Sequence, residues 1–177
     1  MTDSNRINKL LDTGKAQSIW ECFTYDLKQS QSVRWHIKSC WLKPWHQSRV
    51  LFRLSQLTTG IVSLWFHKVN LSWNGVDIQP AARIGRGLTM SHPVGVVIGD
   101  GVKAGHTLTL LQHVTLGQRD GAFPVIGNEV TVYTGASVLG DICVGDGAII
   151  GAHALVLSDV PPNTIVAGVP AKVISQF

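Results

Sequence analysis

The stretch Ile126–Val156, IGNEVTVYTGASVLGDICVGDGAIIGAHALV, puts an aliphatic residue at every sixth position: Ile126, Val132, Val138, Val144, Ile150 and Val156. The same beat runs earlier through Ile84 and Met90, then through Ile98, Ala104, Leu110 and Leu116. A small or aliphatic residue tends to follow four places after each marker, as at Leu88, Val94, Val102, Leu108, Val114, Val130, Ala136, Ile142, Ala148 and Ala154. An amphipathic helix repeats every 3.6 residues and a half-buried strand every two, so neither produces this pattern. A six-residue beat fits a parallel β-helix, in which each hexad is a short strand and a corner and three hexads close one triangular coil. The fold class read from the sequence is therefore mainly β, with the markers stacked in the core.

Working outward, composition divides the 177-residue chain near residue 75. All six Trp lie before that point and fifteen of the eighteen Gly after it. Residues 1–75 carry ten Lys/Arg against four Asp/Glu, whereas residues 76–177 carry five against seven, so the net +4 belongs to the first segment. The division expected is an α-helical N-terminal segment over 1–75 and a β-helix with a C-terminal cap over 76–177. The basic charges are scattered among apolar residues, with no Lys/Arg block, and no nucleic-acid partner is expected. Met1–Arg6 lead into no apolar secretory core, and no apolar run approaches a membrane span. Three cysteines without metal-ligand spacing fit a reducing compartment, and a cytoplasmic location is expected.

Residues 1–12 are polar and expected to fray. Ile19, Trp20, Phe23 and Leu27 fall at helical spacing within about 17–28. A second helix is expected over about 32–42, closed by Pro44, and a third from about Ser48 towards Val69, weakened in its middle by Gly60. The Trp and Leu residues on these helices are read as packing or oligomer contacts, with contact at a membrane surface as the alternative.

The repeat loses phase twice. Two extra residues enter at Val96-Val97 before Ile98, and the Leu116-to-Ile126 interval is four residues too long, so part of Gly117–Val125 must leave the coil. Such interruptions are where a solenoid mounts binding residues. His92 follows the marker Met90 by two and therefore sits at a corner, pointing outward. Asp77 precedes it by fifteen residues, close to one coil, which puts it on the adjacent rung near the same edge. A carboxylate behind an imidazole fixes its tautomer and strengthens it as a base. His106, His113 and His153 also fall off the core and are read as solvated or structural, and no activating partner for Cys143 is evident. A filled solenoid has no internal pocket, so a ligand must lie on an outer face or between copies.

Asp77-Ile-Gln-Pro-Ala-Ala-Arg-Ile-Gly-Arg-Gly87, Ser91-His92, Val114-Thr-Leu-Gly117 and Ala167-Gly-Val-Pro-Ala-Lys172 together resemble the serine acetyltransferase branch of the hexapeptide acyltransferases, over a little more than half of the chain. The resemblance implies a left-handed β-helix, a homotrimer and acetyl-CoA as co-substrate, with no permanently bound cofactor and no metal. It also implies His92 as general base with Asp77 as its partner. It carries donor contacts onto Gly117, Thr134, Gly135 and Ala152, and Lys172 near the cap is placed to meet the CoA phosphates.

Two departures bear on the acceptor. Family members that acetylate serine carry an acidic residue before the catalytic histidine, where this chain has Ser91. They also carry an Arg-His pair before the loop proline, where it has Ala122 and Phe123 before Pro124, and its loop is four residues shorter. A serine zwitterion needs a cation and an anion. The short Trp-rich prefix resembles acetyltransferases of capsule and exopolysaccharide pathways, so a sugar hydroxyl is the expected acceptor, with serine as the alternative. A non-catalytic trimeric scaffold and a zinc β-helix that hydrates carbon dioxide are the remaining readings.

Overall fold

The computed structural model describes residues 18–28 and 43–177. The expectations for residues 1–12 and for a helix over 32–42 lie outside the described residues. Helix α1 spans Ile19–Lys28, α2 Pro44–Leu57 and α3 Gly60–Asn74. Ser18 and Glu21 form a reciprocal cap on α1: the Glu21 N–H donates to Ser18 Oγ (3.1 Å) and the Ser18 N–H to Glu21 Oε2 (3.2 Å). Pro44, expected to end a helix, occupies the first turn of α2, where its missing N–H costs nothing. The single long helix expected from Ser48 is two helices. Gly60 adopts a left-handed φ of +59° and Thr58 is extended, so the chain turns there. Ser63 Oγ donates to the Ser55 carbonyl across the turn (2.7 Å) and ties α2 to α3.

After Gly75 the chain winds through short strands, β1 (Asp77–Ile78) to β14 (Thr164–Ala167), in three parallel sheets. The first face is ordered β1-β4-β7-β10-β13, the second β2-β5-β8-β11 and the third β3-β6-β9-β12-β14. Most strands turn one residue inward. Every marker from Ile78 through Val156 is buried, as are Leu88, Val102, Leu108, Val114, Val130, Ala136, Ile142, Ala148 and Ala154. Val94 is the exception at 55% exposed, and Val96 is buried in its place. The two extra residues therefore bulge between Met90 and Val96, at the corner carrying His92, and not at Val96-Val97.

Both ends of the solenoid are closed. The first coil has no coil before it, and residues of α1 and α2 take up its backbone groups. Arg53 donates to the carbonyls of Ile84 (2.8 Å) and Gly85 (2.6 Å), Arg49 to Leu88 (3.1 Å) and Gln56 to Ala82 (2.7 Å). Asp26 accepts the Gly87 N–H (2.7 Å) and pairs with Arg53 (3.0 Å). Capping of this kind is what a repeat array requires at its ends. At the other end β15 (Lys172–Gln176) runs antiparallel to β14. Trp20, Trp65 and Trp73 are 59–66% exposed, and the ring contacts of Trp20 with Phe23 and of Trp65 with Phe66 leave most of their surface uncovered within the described residues. No helix among the described residues is long and apolar enough to cross a membrane.

Candidate active site

The corners joining the third face to the first form one edge, and sheet register aligns them. Met90 pairs with Leu110, Leu110 with Val132, Val132 with Ile150 and Ile150 with Val166. Two residues after the later markers stand Gln112, Thr134 and Ala152, one above another. At the bulged first corner the His113 N–H donates to the Val94 carbonyl (3.0 Å), so Val94 is the residue in register with Gln112 and His92 stands out from the same edge. Two of the residues proposed from the sequence, Thr134 and Ala152, thus share a single column, and His92 lies on the same edge in the bulge at its first corner. At about 4.8 Å per rung, His92 and Ala152 are separated by roughly 14 Å along the edge. Gly135 follows Thr134 with a left-handed φ of +68°, and the His153 ring of the next rung occupies the space a side chain there would need. His113 is seated against Gly95 in the same way.

Gly117 ends β7 (Thr115–Gly117), just past this edge on the first face. Lys172 opens β15 opposite Ala167, next to the Gly168 rung, and is exposed. The column, Gly117 and Lys172 therefore run along one side of the solenoid. His106 lies between β5 (Lys103–Ala104) and β6 (Thr109–Leu110), on a different edge from His113. Among the described residues no three His, Cys, Asp or Glu gather as a metal ion would need.

Asp77 lies at the start of β1, beside the same edge. The Gly95 N–H donates to the Gly75 carbonyl (2.8 Å) and the Asp77 N–H to the Val96 carbonyl (2.9 Å), so the loop carrying His92 is strapped to the segment carrying Asp77. The carboxylate, however, holds a different imidazole from the one that spacing predicts. Asp77 Oδ1 lies 2.9 Å from His67 Nε2 on α3 and accepts from Gln79 Nε2 at 3.0 Å. Among the described residues no hydrogen bond joins Asp77 to the exposed His92. Oδ2 of Asp77 has no such partner either, so one acceptor oxygen remains for a donor on that edge.

Two residues of the edge escaped the sequence reading. Gln112 stands one rung from His92, and its buried Oε1 has no hydrogen-bond partner among the described residues. Its signal was in the sequence, two places after the marker Leu110. His67 gave a weaker one: His67, Asn70 and Asn74 share a helical face that is polar yet buried.

The interrupted repeat leaves the coil as a tight hairpin. Arg119 and Ala122 exchange both backbone hydrogen bonds (3.0 and 3.1 Å) around Asp120 and Gly121, each at positive φ. Asp-Gly is the pairing such a two-residue turn favours. Phe123 then folds back across Gly99 and Gly101 on the preceding coil.

Comparison with known proteins agrees with this architecture. The bacterial transferase hexapeptide family (six repeats) matches residues 123–158. A serine acetyltransferase of Helicobacter pylori (strain J99) is 48% identical over 107 residues, 58% of this chain and 62% of the relative. The chain thus spans about three fifths of that relative's length. A serine acetyltransferase of Bacillus subtilis (strain 168) is 34% identical over 152 residues, 73% of this chain and 70% of the relative. The structure of a soybean serine acetyltransferase in complex with serine superposes with a TM-score of 0.73 at 33% identity, covering 89% of this chain and 70% of that one. A parallel solenoid of six-residue steps, shared with relatives over most of the chain, places it in a family: the chain belongs to the serine acetyltransferases of the hexapeptide-repeat transferases.

Proposed function

We propose that this protein is an acetyl-CoA-dependent O-acetyltransferase whose site is the edge joining the third and first faces. The observation that carries the reading is the register column itself. It aligns Thr134 with Ala152, positions that sequence resemblance assigns to the donor, on the edge that also carries His92, the position it assigns to the base. An extended pantetheine arm laid along the column would pass small residues that let backbone amides approach it. The buried acceptor of Gln112 lies on that path. Leaving such a group unsatisfied costs about 1–3 kcal/mol, which a ligand N–H would relieve. Lys172, beyond the last rung, offers a charge for the phosphates. The groove would be completed by a neighbouring copy in a trimer.

The chemistry is a direct transfer. His92 takes the proton of the acceptor hydroxyl as its oxygen attacks the thioester carbonyl. The resulting oxyanion is stabilised by backbone N–H groups near Gly117. Collapse breaks the carbon–sulfur bond, and the proton on His92 passes to the departing CoA thiolate. Asp77 orients His92 and balances its transient charge.

Serine is the acceptor that the relatives' names support. A second reading, a sugar hydroxyl, is favoured by one observation. Where serine-acetylating members resembling this chain carry Arg-His, Ala122 stands in a tight hairpin and Phe123 packs on the preceding coil, so neither of those two places offers a cation for a carboxylate. CoA release from acetyl-CoA, measured with free serine and separately with a panel of nucleotide sugars and oligosaccharides, tests both. Turnover with serine supports the first acceptor, and turnover only with a sugar supports the second. No CoA release with any acceptor, together with no thermal shift on adding CoA, argues against a transferase.

A further inference from the structure

We propose that His67 is a positioning residue for the Asp77 carboxylate, holding it from helix α3 so that its second oxygen is presented to His92; this rests on the reading of His92 as the base. His67 Nε2 lies 2.9 Å from Asp77 Oδ1, with the His67 side chain 8% exposed and that of Asp77 34% exposed. An ionised carboxylate only accepts hydrogen bonds, so the hydrogen between them sits on His67 Nε2. Gln79 Nε2 donates to the same oxygen at 3.0 Å. Two donors converging on Oδ1 fix the rotation of the carboxylate and leave Oδ2 for a third. The remaining polar residues on the buried face of α3 are occupied elsewhere. Asn70 Nδ2 donates to the Ser48 carbonyl (3.0 Å) and Asn74 Nδ2 to Asn70 Oδ1 (3.1 Å), so His67 is the member of that face that reaches the edge.

The backbone carries the link onward. Gly75 caps α3 in a left-handed conformation, its N–H donating to the Leu71 carbonyl (3.1 Å), and its own carbonyl accepts the Gly95 N–H from the His92 loop (2.8 Å). Helix α3, the carboxylate and the loop of the base are thus joined by consecutive hydrogen bonds. The N-terminal helices do more than close the solenoid, because one of them sets the geometry of the site.

The test uses the full chain with two substitutions. His67→Leu keeps bulk and removes the donor, whereas His67→Gln puts an amide N–H where Nε2 was. With an acceptor that the unsubstituted protein turns over, His67→Leu is expected to lower kcat about ten- to a hundredfold, the scale on which outer partners of an oriented group act. KM for acetyl-CoA should stay unchanged, and His67→Gln should regain most of the lost kcat. An unchanged or raised kcat in His67→Leu, a loss confined to KM, or a His67→Gln variant as impaired as His67→Leu overturns the proposal. A second readout needs neither turnover nor a variant. In the ring-nitrogen NMR spectrum of the unsubstituted protein at neutral pH, His67 Nε2 should carry a hydrogen, and a bare Nε2 overturns the proposal. Full turnover by His92→Ala would instead fault the reading of the base, and the ring spectrum would still decide the bond from His67.

Discussion

The Phe123 ring occupies the space above Gly101 that any side chain at that glycine would need, and it crosses Gly99 as well. The contact binds the hairpin loop to the coil before it and fixes where the chain re-enters the solenoid at Pro124. Gly101 has no left-handed backbone to preserve, so a substitution there is opposed by the ring alone. Gly101→Ala is expected to destabilise the protein by about 1–3 kcal/mol, as overpacking does. In a Phe123→Ala background the same change should cost little. Urea denaturation of the four proteins of this cycle would reveal the coupling, and strictly additive effects would deny the contact.

Arg53 is almost completely buried and serves Asp26, Gln56 and two carbonyls of the first coil together. Arg53→Ala would leave the Asp26 carboxylate buried without its cation. Loss of one partner from such a pair costs about 3–5 kcal/mol. A marked fall in melting temperature is expected, whereas loss of an exposed pair such as Arg119–Asp120 should change it little.

Ala152 is exposed on the column, so enlarging it should leave the core untouched. Ala152→Leu is expected to raise KM for acetyl-CoA by an order of magnitude or more, with the melting temperature held. An unaltered KM would move the donor off this edge.

His92 is exposed and makes no hydrogen bond among the described residues, so its removal should not disturb the fold. His92→Ala is expected to lower turnover by about 10²–10⁴-fold, the usual contribution of a general base. Circular dichroism should stay unchanged. Near-normal rates would remove His92 from the mechanism.

Much of this architecture was legible because a solenoid writes its core into sequence as a fixed beat. Ile126, Val132 and Val138 announce their own burial, and counting two onward from the third-face markers Leu110, Val132 and Ile150 finds the edge column. Counting fails where residues are inserted, since spacing alone does not say which residues bulge. Val94 and Val96 are both valines, and only closure of the corner decides that Val96 goes inward. Gly60 hinted at a break in the helix without saying that the chain would turn. The bond from His67 to Asp77 joins residues on separate elements and depends on how α3 docks against the first coil, a relationship that no local pattern encodes. The fifteen-residue interval from Asp77 to His92 brings the two to one edge, but it did not show that the Asp77 carboxylate is held by His67.

If the proposed function holds, the base and the acyl donor share the edge marked by His92, Gln112, Thr134 and Ala152. A crystal structure of the protein with CoA bound tests it most directly. The pantetheine arm is expected along that column, its thiol beside His92 and its phosphates towards Lys172. CoA lying on another edge, such as the one carrying His106, would contradict it.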